Sequence, residues 1–468
     1  MKYAAYEDYK SSASDWLGSV PSHWHVNRLK WSTNGCFNGV WGDEPNDLED
    51  LICVRVADFD RERFVVVNNP PTIRAIEAGQ RRNRLLQKND LLIEKSGGGE
   101  KQLVGCVVQF TGNFPAVCSN FVARLPIARG CDPRYLTYLH SAIYAARLNY
   151  PAIKQTTGIQ NLDSGEYLNI LAAYPPLDEQ QTIARFLDAK TAQIDDLIAK
   201  KRQLIDKLKE KRSTLIARTV TRGQPPEAAK SAGLTPHPEM KDSGVEWLGA
   251  IPCHWELKPI KYLGRVGNGS TPARDNSDYW DDGFFPWLNS SMVNENSVSS
   301  AQEFVTASAL RECHLPIIKP PAILIGITGQ GRTRGMATTL LIEATINQHV
   351  AYVKPIKCLV DVDFLRRIFD NAYLFLRSES DGGGSTKGAI TCDQIANLNV
   401  PLPPLGEQQA IATYLDRETT QLDGLAAKVE TAIARLAEYR QALITSAVTG
   451  KIDLRALAPC PANVDSQP

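Results

Sequence analysis

The sequence is short of charge imbalance, of metal-ligand clusters and of long apolar runs, and each shortage removes a class of function. Lysine plus arginine and aspartate plus glutamate both number 52, so the net charge is zero. Overall charge therefore gives no support for nucleic-acid binding, and any basic surface must be local. The 10 cysteines are scattered with no C-x-x-C pair, and none of the 7 histidines falls at ligand spacing. That argues against structural zinc and against a secreted disulfide framework, and it fits a reducing compartment. No stretch approaches about 18 consecutive apolar residues, and Met1 to Lys10 has neither a basic start nor an apolar run. The expectation is a soluble, cytoplasmic protein without membrane association.

Catalytic patterns are incomplete as well. Asn69-Pro-Pro-Thr72 is similar to the N-P-P-aromatic motif of amino-methyltransferases. Thr72, however, stands where an aromatic ring would stack on the target base, and no Gly-rich strand-to-helix turn precedes it. Ser96-Gly-Gly-Gly-Glu-Lys101 and Asp381-Gly-Gly-Gly-Ser-Thr-Lys387 lack the G-x-x-x-x-G-K-[ST] order of a nucleotide cradle and read as flexible loops. Asp90 with Glu94-Lys95 misses the spacing of a D…E-x-K nuclease. No catalytic residue and no metal ligand is assigned.

What is present is a duplication. Tyr174 to Thr221 and Leu402 to Thr449 align without a gap, roughly half identical and about 230 residues apart. Each copy opens on a Pro-Pro pair, which precedes rather than enters a helix, followed by Leu-x-Glu-Gln-Gln and uninterrupted helix composition. In the first copy Leu187, Ile194, Leu197, Leu204, Leu208 and Leu215 fall on a seven-residue repeat, with Ile198 and Ile205 beside it. In the second, Leu422, Leu425, Val429, Ala432, Leu436, Tyr439 and Leu443 fill the same seam. Two such helices, each able to span roughly 60 Å, are expected to pack on each other antiparallel.

A second duplicated block precedes each half. Asp15-Trp-Leu-Gly-Ser-Val-Pro-Ser-His-Trp24 returns as Glu246-Trp-Leu-Gly-Ala-Ile-Pro-Cys-His-Trp255. No Ser, Cys or Asp partner recurs beside both His23 and His254, so these read as packed or solvated residues that mark where each half begins. Between the duplicated blocks lie short apolar runs broken by Gly, Pro, Asn and Asp: Leu51 to Val56, Phe64 to Val67, Asp90 to Ile93 and Leu103 to Phe110, then a helix from Pro133 to Leu148. The second half offers strands at Ala322 to Ile327 and Met336 to Ile342 and a helix at Val362 to Arg377. The fold class is α+β, as two similar domains each followed by a long α-helix. Boundaries follow at 1–173 and 174–222, a Pro-rich linker at 223–240, then 241–401 and 402–454, with a frayed tail at 455–468.

Carried by these doubled blocks, with Gly269-Ser-Thr-Pro272, Tyr279-Trp280 and Pro286-Trp287 in the second half, the chain resembles the specificity subunit of type I restriction-modification systems. The resemblance covers nearly the whole chain. It implies two target-recognition domains reading the halves of a split double-stranded DNA site, with the paired helices as a ruler between them. It also implies no catalytic site here. The partners would be two S-adenosylmethionine-dependent adenine methyltransferase subunits and two restriction-translocase subunits using ATP and Mg, and no cofactor is held by this chain. Candidate DNA contacts are Arg81, Arg82, Arg84, Lys95 and Lys101 in the first domain and Arg332, Arg334 and Lys387 in the second, because Arg and Lys beside small residues can reach phosphates or guanine edges. The halves differ inside their shared frame, as in Asn38-Gly-Val-Trp41 against Gly267-Asn-Gly-Ser270, so an asymmetric target is expected. Two other readings stay open on the sequence: a subunit of a two-component system with a fused nuclease-methyltransferase partner, and a coiled-coil scaffold that binds no DNA.

Overall fold

A computed structural model describes residues 3–98, 102–156, 158–329, 331–381 and 388–457 of the protein. It divides into two compact units, residues 1–201 with 431–468, and residues 202–430.

In the first unit one sheet runs in the order Phe37–Asn38, Val122–Leu125, Leu91–Glu94, Val107–Gln109, Val65–Val66 and Phe59–Asp60. A second sheet pairs Ala116–Cys118, Asp50–Val54 and Ile73–Ala75. Helix α1, Pro133–Ala145, is fixed at its start by the Asp132 side chain, which accepts from the Tyr135 N–H at 2.8 Å. It buries Tyr135, Leu136, Leu139 and Ile143 against Leu91 and Ile93 in the unit's main core.

The second unit repeats this plan. Its larger sheet runs Gly264–Asn268, Val350–Pro355, Ala322–Gly326, Ala337–Leu340 and Ser297–Val298. Its smaller sheet pairs Thr345–Ile346, Phe285–Leu288 and Glu303–Val305. Corresponding pairs are parallel in both units: Gln109 with Val65 against Thr339 with Ser297, and Cys53 with Val117 against Trp287 with Thr345. The expected strands and helices are present, with ends moved by a few residues. The strand expected from Leu103 narrows to Val107–Gln109, and the second domain's helix extends to Val362–Asp381, here α2 in order of appearance after α1.

Two long helices follow the domains. Helix α3 is Leu177–Arg222, 46 residues, and α4 is Leu405–Val448, 44 residues. Each begins directly after a Pro-Pro pair, whose second carbonyl accepts from the Glu-Gln N–H groups: Pro176 from Glu179 and Gln180, Pro404 from Glu407 and Gln408. Each ends on a glycine with φ near the left-handed value, Gly223 at 81° and Gly450 at 70°, the usual helix stop. Within the first unit Ile183, Leu187, Ile194 and Ile198 of α3 share a core with Leu443, Ile444, Ala447 and Val448 of α4. Within the second, Ile216 and Val220 of α3 share one with Ile411 and Leu415 of α4. Each unit thus holds the start of one helix beside the end of the other, so the pair is antiparallel.

The seam differs from the expected seven-residue repeat. Leu197, Leu204, Leu425 and Tyr439 are exposed, each above 40 %. Leu208, Leu215, Val429, Ala432 and Leu436 are only partly covered, while Ile194, Leu422 and Leu443 are buried. The buried line in α3 is Ile183, Ile194, Ile205 and Ile216, and its counterpart in α4 is Ile411, Leu422, Ile433 and Ile444, each eleven residues apart, with Ile433 half-buried. An eleven-residue step corresponds to about 3.67 residues per turn, close to a straight helix. A heptad line drifts sideways on such a helix, which carries Leu197 and Leu204 out to solvent.

The stretch 223–240, of linker composition, is structured where it leaves α3. Pro226–Ser231 is helical with Ala229 buried, and the Gln224 amide donates to the Ala410 carbonyl. Of the expected tail, Arg455–Leu457 forms a short 3₁₀ turn.

Candidate nucleic-acid interface

The duplicated blocks build a joint rather than a reaction centre. Glu179, nearly fully buried, accepts from the Tyr6 hydroxyl at 2.6 Å and the Trp24 indole N–H at 3.1 Å, and pairs with His23 Nε2 at 2.8 Å. In the second unit Glu407 pairs with His254 Nε2 at 2.9 Å. There Trp255 Nε1 has no partner among the described residues. Gln180 accepts from the Asp132 N–H at 2.8 Å and donates to the Pro175 carbonyl at 2.8 Å. Gln408 does the same with Asp361 and Pro403, again at 2.8 Å. The Glu-Gln pair therefore ties each opening loop, the Pro-Pro turn and the start of the domain helix to one point. Each histidine commits its Nε2 to this joint.

Ion pairs fix the helix register in each unit. Arg440 meets Asp195 through two nitrogens at 2.9 and 3.2 Å, stacks on Phe64 and donates to the Glu62 carbonyl, locking the first domain to α3 and α4 together. Arg212 meets Asp423 at 3.1 Å. The residue numbers add to the same total in both pairs, so the same pairing of α3 with α4 recurs within each unit. A cavity of about 560 Å³ in the second unit is lined by Arg212, Arg366 and Arg367. Four aspartates line it too, so it presents no positive field to a phosphate.

The basic candidates separate on inspection. Arg334 is buried and ion-paired to Asp381 at 2.7 Å, so its guanidinium is engaged within the fold. Arg81 donates to the Ile76 and Glu49 carbonyls, and Arg84 to those of Asn38 and Gln80, so both guanidiniums are engaged in tying their loop to neighbouring segments of the domain. Lys95 binds the Asn38 side chain at 2.7 Å. Arg82 and Arg332 are exposed and have no side-chain partner among the described residues. Lys101 and Lys387 lie outside the described residues.

Matching backbone hydrogen bonds in the two domains set an alignment that differs from the sequence repeat at several positions. A β-carbon on Gly39 would collide with the Cys118 carbonyl, and one on Gly269 with the Ile346 carbonyl. The next N–H in each case, Val40 or Ser270, donates to that same carbonyl, at 2.8 and 3.1 Å. Asn38-Gly39 therefore corresponds to Asn268-Gly269, not to Gly267-Asn268, and beyond that pair the halves diverge, with Val40 and Trp41 against Ser270 and Thr271. The turn that follows corresponds as well. Ser119 and Asn347 donate to the Val54 and Leu288 carbonyls, and Phe121 and His349 accept from the Lys95 and Ile327 N–H groups. Asn120 and Gln348, both exposed, thus occupy one position in the two domains. In the second domain the loop beside it is clamped: Trp287 Nε1 donates to Ser270, Trp280 Nε1 to Ala273, and the Arg274 guanidinium lies 3.9 Å over Trp280 while pairing with Glu303. This accounts for the Gly-Ser-Thr-Pro and Tyr-Trp motifs. Asn120 and Gln348 carry no charge, and nothing in the sequence marks them as a pair.

Residues 252–433 match the family described as Type I restriction modification DNA specificity domain. The chain is 24% identical over 202 residues to the type I restriction enzyme EcoR124I/EcoR124II specificity subunit of Escherichia coli, covering 43% of this chain and 46% of that protein. The match therefore spans about half the length of that relative. It is 22% identical over 389 residues to the type I restriction enzyme MjaVIII specificity subunit of Methanocaldococcus jannaschii, covering 80% of this chain and 81% of that protein. Among solved structures, the HsdS subunit from Thermoanaerobacter tengcongensis shares the fold, with a TM-score of 0.54 at 16% identity over 92% of this chain and 98% of that one. A chain from a type I R-M system complex gives 0.69 at 16% identity, over 92% and 99%. Among the described residues no helix is long and apolar enough to cross a membrane, and no cluster of three or more metal-ligating side chains is found.

Proposed function

We propose that the chain, whose residues 252–433 match the type I restriction modification DNA specificity family, is the DNA-reading subunit of a type I restriction-modification complex. Each domain reads one half of a split double-stranded site, and α3 with α4 sets the distance between the halves. Adenine methylation and cleavage belong to partners: two methyltransferase subunits that use S-adenosylmethionine, and two restriction-translocase subunits that use ATP and Mg. This chain contributes no catalytic group, and it works in the cytoplasm.

The observation that carries this reading is one frame with two different faces. The two domains share topology down to Gly39 and Gly269, yet present Trp41, Asn120 and Phe121 on one and Thr271, Gln348 and His349 on the other. A protein that needs two different short sequences on one duplex is served by such an arrangement. Arg82 and Arg332 suit phosphate contact, Lys101 and Lys387 are candidates by sequence alone, and zero net charge is compatible because phosphate contacts can be shared with partners. Major-groove turns recur about every 34 Å, so a helix pair can hold two readers on one face of the duplex with an unread spacer between.

Long-read sequencing of modified bases tests this, in cells expressing the chain with its methyltransferase partner against cells lacking the chain. The expected result is N6-methyladenine in one bipartite, asymmetric motif that disappears without the chain. With the partner shown to be active, the absence of any chain-dependent motif would leave the scaffold reading in its place.

A further inference from the structure

We propose that Gln348 and its counterpart Asn120 are the side chains that read a base in the two half-sites, each selecting adenine. The proposal rests on the DNA-reading function above and names where within each domain the sequence is read.

The argument begins with what Gln348 has left to offer. An amide carries two acceptor lone pairs and two donor hydrogens. The Gln348 oxygen takes the Thr271 hydroxyl, and its nitrogen lies 3.4 Å from His349 Nε2. His349 is in turn held through Nδ1 by the Thr328 hydroxyl at 2.8 Å. Three loops, following Gly264–Asn268, Thr345–Ile346 and Ala322–Gly326, thus meet in one chain of side-chain hydrogen bonds. That chain takes one lone pair and one hydrogen from the amide and fixes its plane. One lone pair and one hydrogen remain, on an exposed side chain. The major-groove edge of adenine presents the matching pair, an N6 hydrogen and an N7 lone pair, and amides read it bidentately. The neighbouring loop is held rigid by the two tryptophan N–H groups and the stacked Arg274, so the amide is pre-set rather than searching.

The first domain carries the same functional group at the same turn, with different flanks. Asn120 is exposed, and beside it Phe121 and Trp41 are 48% and 39% exposed. Arg74 stacks on Trp41 at 4.7 Å and steadies it. An apolar flank suits the thymine methyl group, whereas Thr and His flanks suit polar base edges. The two half-sites therefore share an adenine contact and differ beside it.

The test is the methylome of cells carrying Gln348→Ala, Asn120→Ala or Gln348→Glu in the full chain with its methyltransferase partner. Gln348→Ala should relax one position of one half-site, lowering discrimination there by about 10- to 100-fold, with the other half-site and the spacer unchanged. Asn120→Ala should do the same in the opposite half-site. Gln348→Glu removes the donor, and the same position should move from adenine towards cytosine, whose N4 donates to a carboxylate. Motifs identical to wild type in all three variants overturn the proposal. So does a uniform fall in methylation with no position relaxed, which marks a structural role. If the wild-type chain directs no motif with an active partner, the DNA-reading function itself falls, and this result differs from either of the others.

Discussion

Glu179 shows how much one residue carries at the smallest scale. Three donors from the opening loop converge on its carboxylate, whereas Glu407 holds only His254 and leaves Trp255 Nε1 without a partner among the described residues. Glu179→Ala should therefore destabilise the first unit by about 3 kcal/mol, from donors left buried and unpaired, and Glu407→Ala should cost the second unit clearly less. Denaturant unfolding of the two variants checks the order. His140 gives a pH-dependent counterpart. It is fully buried, bonded to the Tyr167 hydroxyl through Nδ1 at 2.7 Å, and burial lowers its pKa from 6.5 to about 4. Above pH 6.5 both folded and unfolded chains hold it neutral and its contribution is intact. As pH falls from 6.5 to 4 the unfolded chain takes up a proton that the folded one refuses, and up to about 3 kcal/mol of stability is lost. His140→Gln should flatten that part of the stability profile, measured by chemical denaturation across the window.

At the scale of elements, the long helices were legible and their seam was not. Pro-Pro at the start, acidic residues in the first turn and glycine past the end mark α3 and α4 plainly. The leucines drew attention to a seven-residue repeat, yet the isoleucines at 183, 194, 205 and 216 carry the true period. Both patterns coexist in one sequence because a period of 3.5 and one of 3.67 differ little over two turns and diverge over ten. A deletion experiment separates them. Removing residues 200–210 together with 425–435, the block with the matching total, keeps the isoleucine line in phase and shortens each helix by about 16 Å. The expected outcome is a folded protein whose target has a shorter spacer, or one that no longer binds. Removing seven residues instead should lower stability as well, because the line is put out of phase. An unchanged spacer in the folded deletion variant would refute the ruler role.

At the scale of the whole molecule, the two domains are copies in plan and strangers in surface. The prediction proper to this scale is an asymmetric target, and equal half-sites in the methylome would count against independent readers. Replacing residues 241–401 by the matching segment of a relative should change one half-site and leave the other intact, since Glu407 and Gln408 outside the segment hold it through His254 and the Asp361 backbone N–H, contacts that recur in the first unit as Glu179 with His23 and Gln180 with Asp132.

By itself the sequence determined the duplication, the α+β class, the two long helices and the resemblance to a family, because repeats, turn residues and helix stops are local signals. Tertiary structure decided three things that local signals do not hold. It chose the isoleucine line as the buried seam, since only packing tells a covered stripe from a drifting one. It buried Arg334 against Asp381 and engaged Arg81 and Arg84 with backbone carbonyls of their own domain, since partners such as Asp381 and Asn38 lie far away in sequence. It also brought Gln348 beside Thr271 and His349, and placed Asn120 at the same turn, because glycines packed against strand-end carbonyls set the alignment of the two halves. Charge is visible in a sequence. An amide poised by its neighbours becomes visible only when three loops meet.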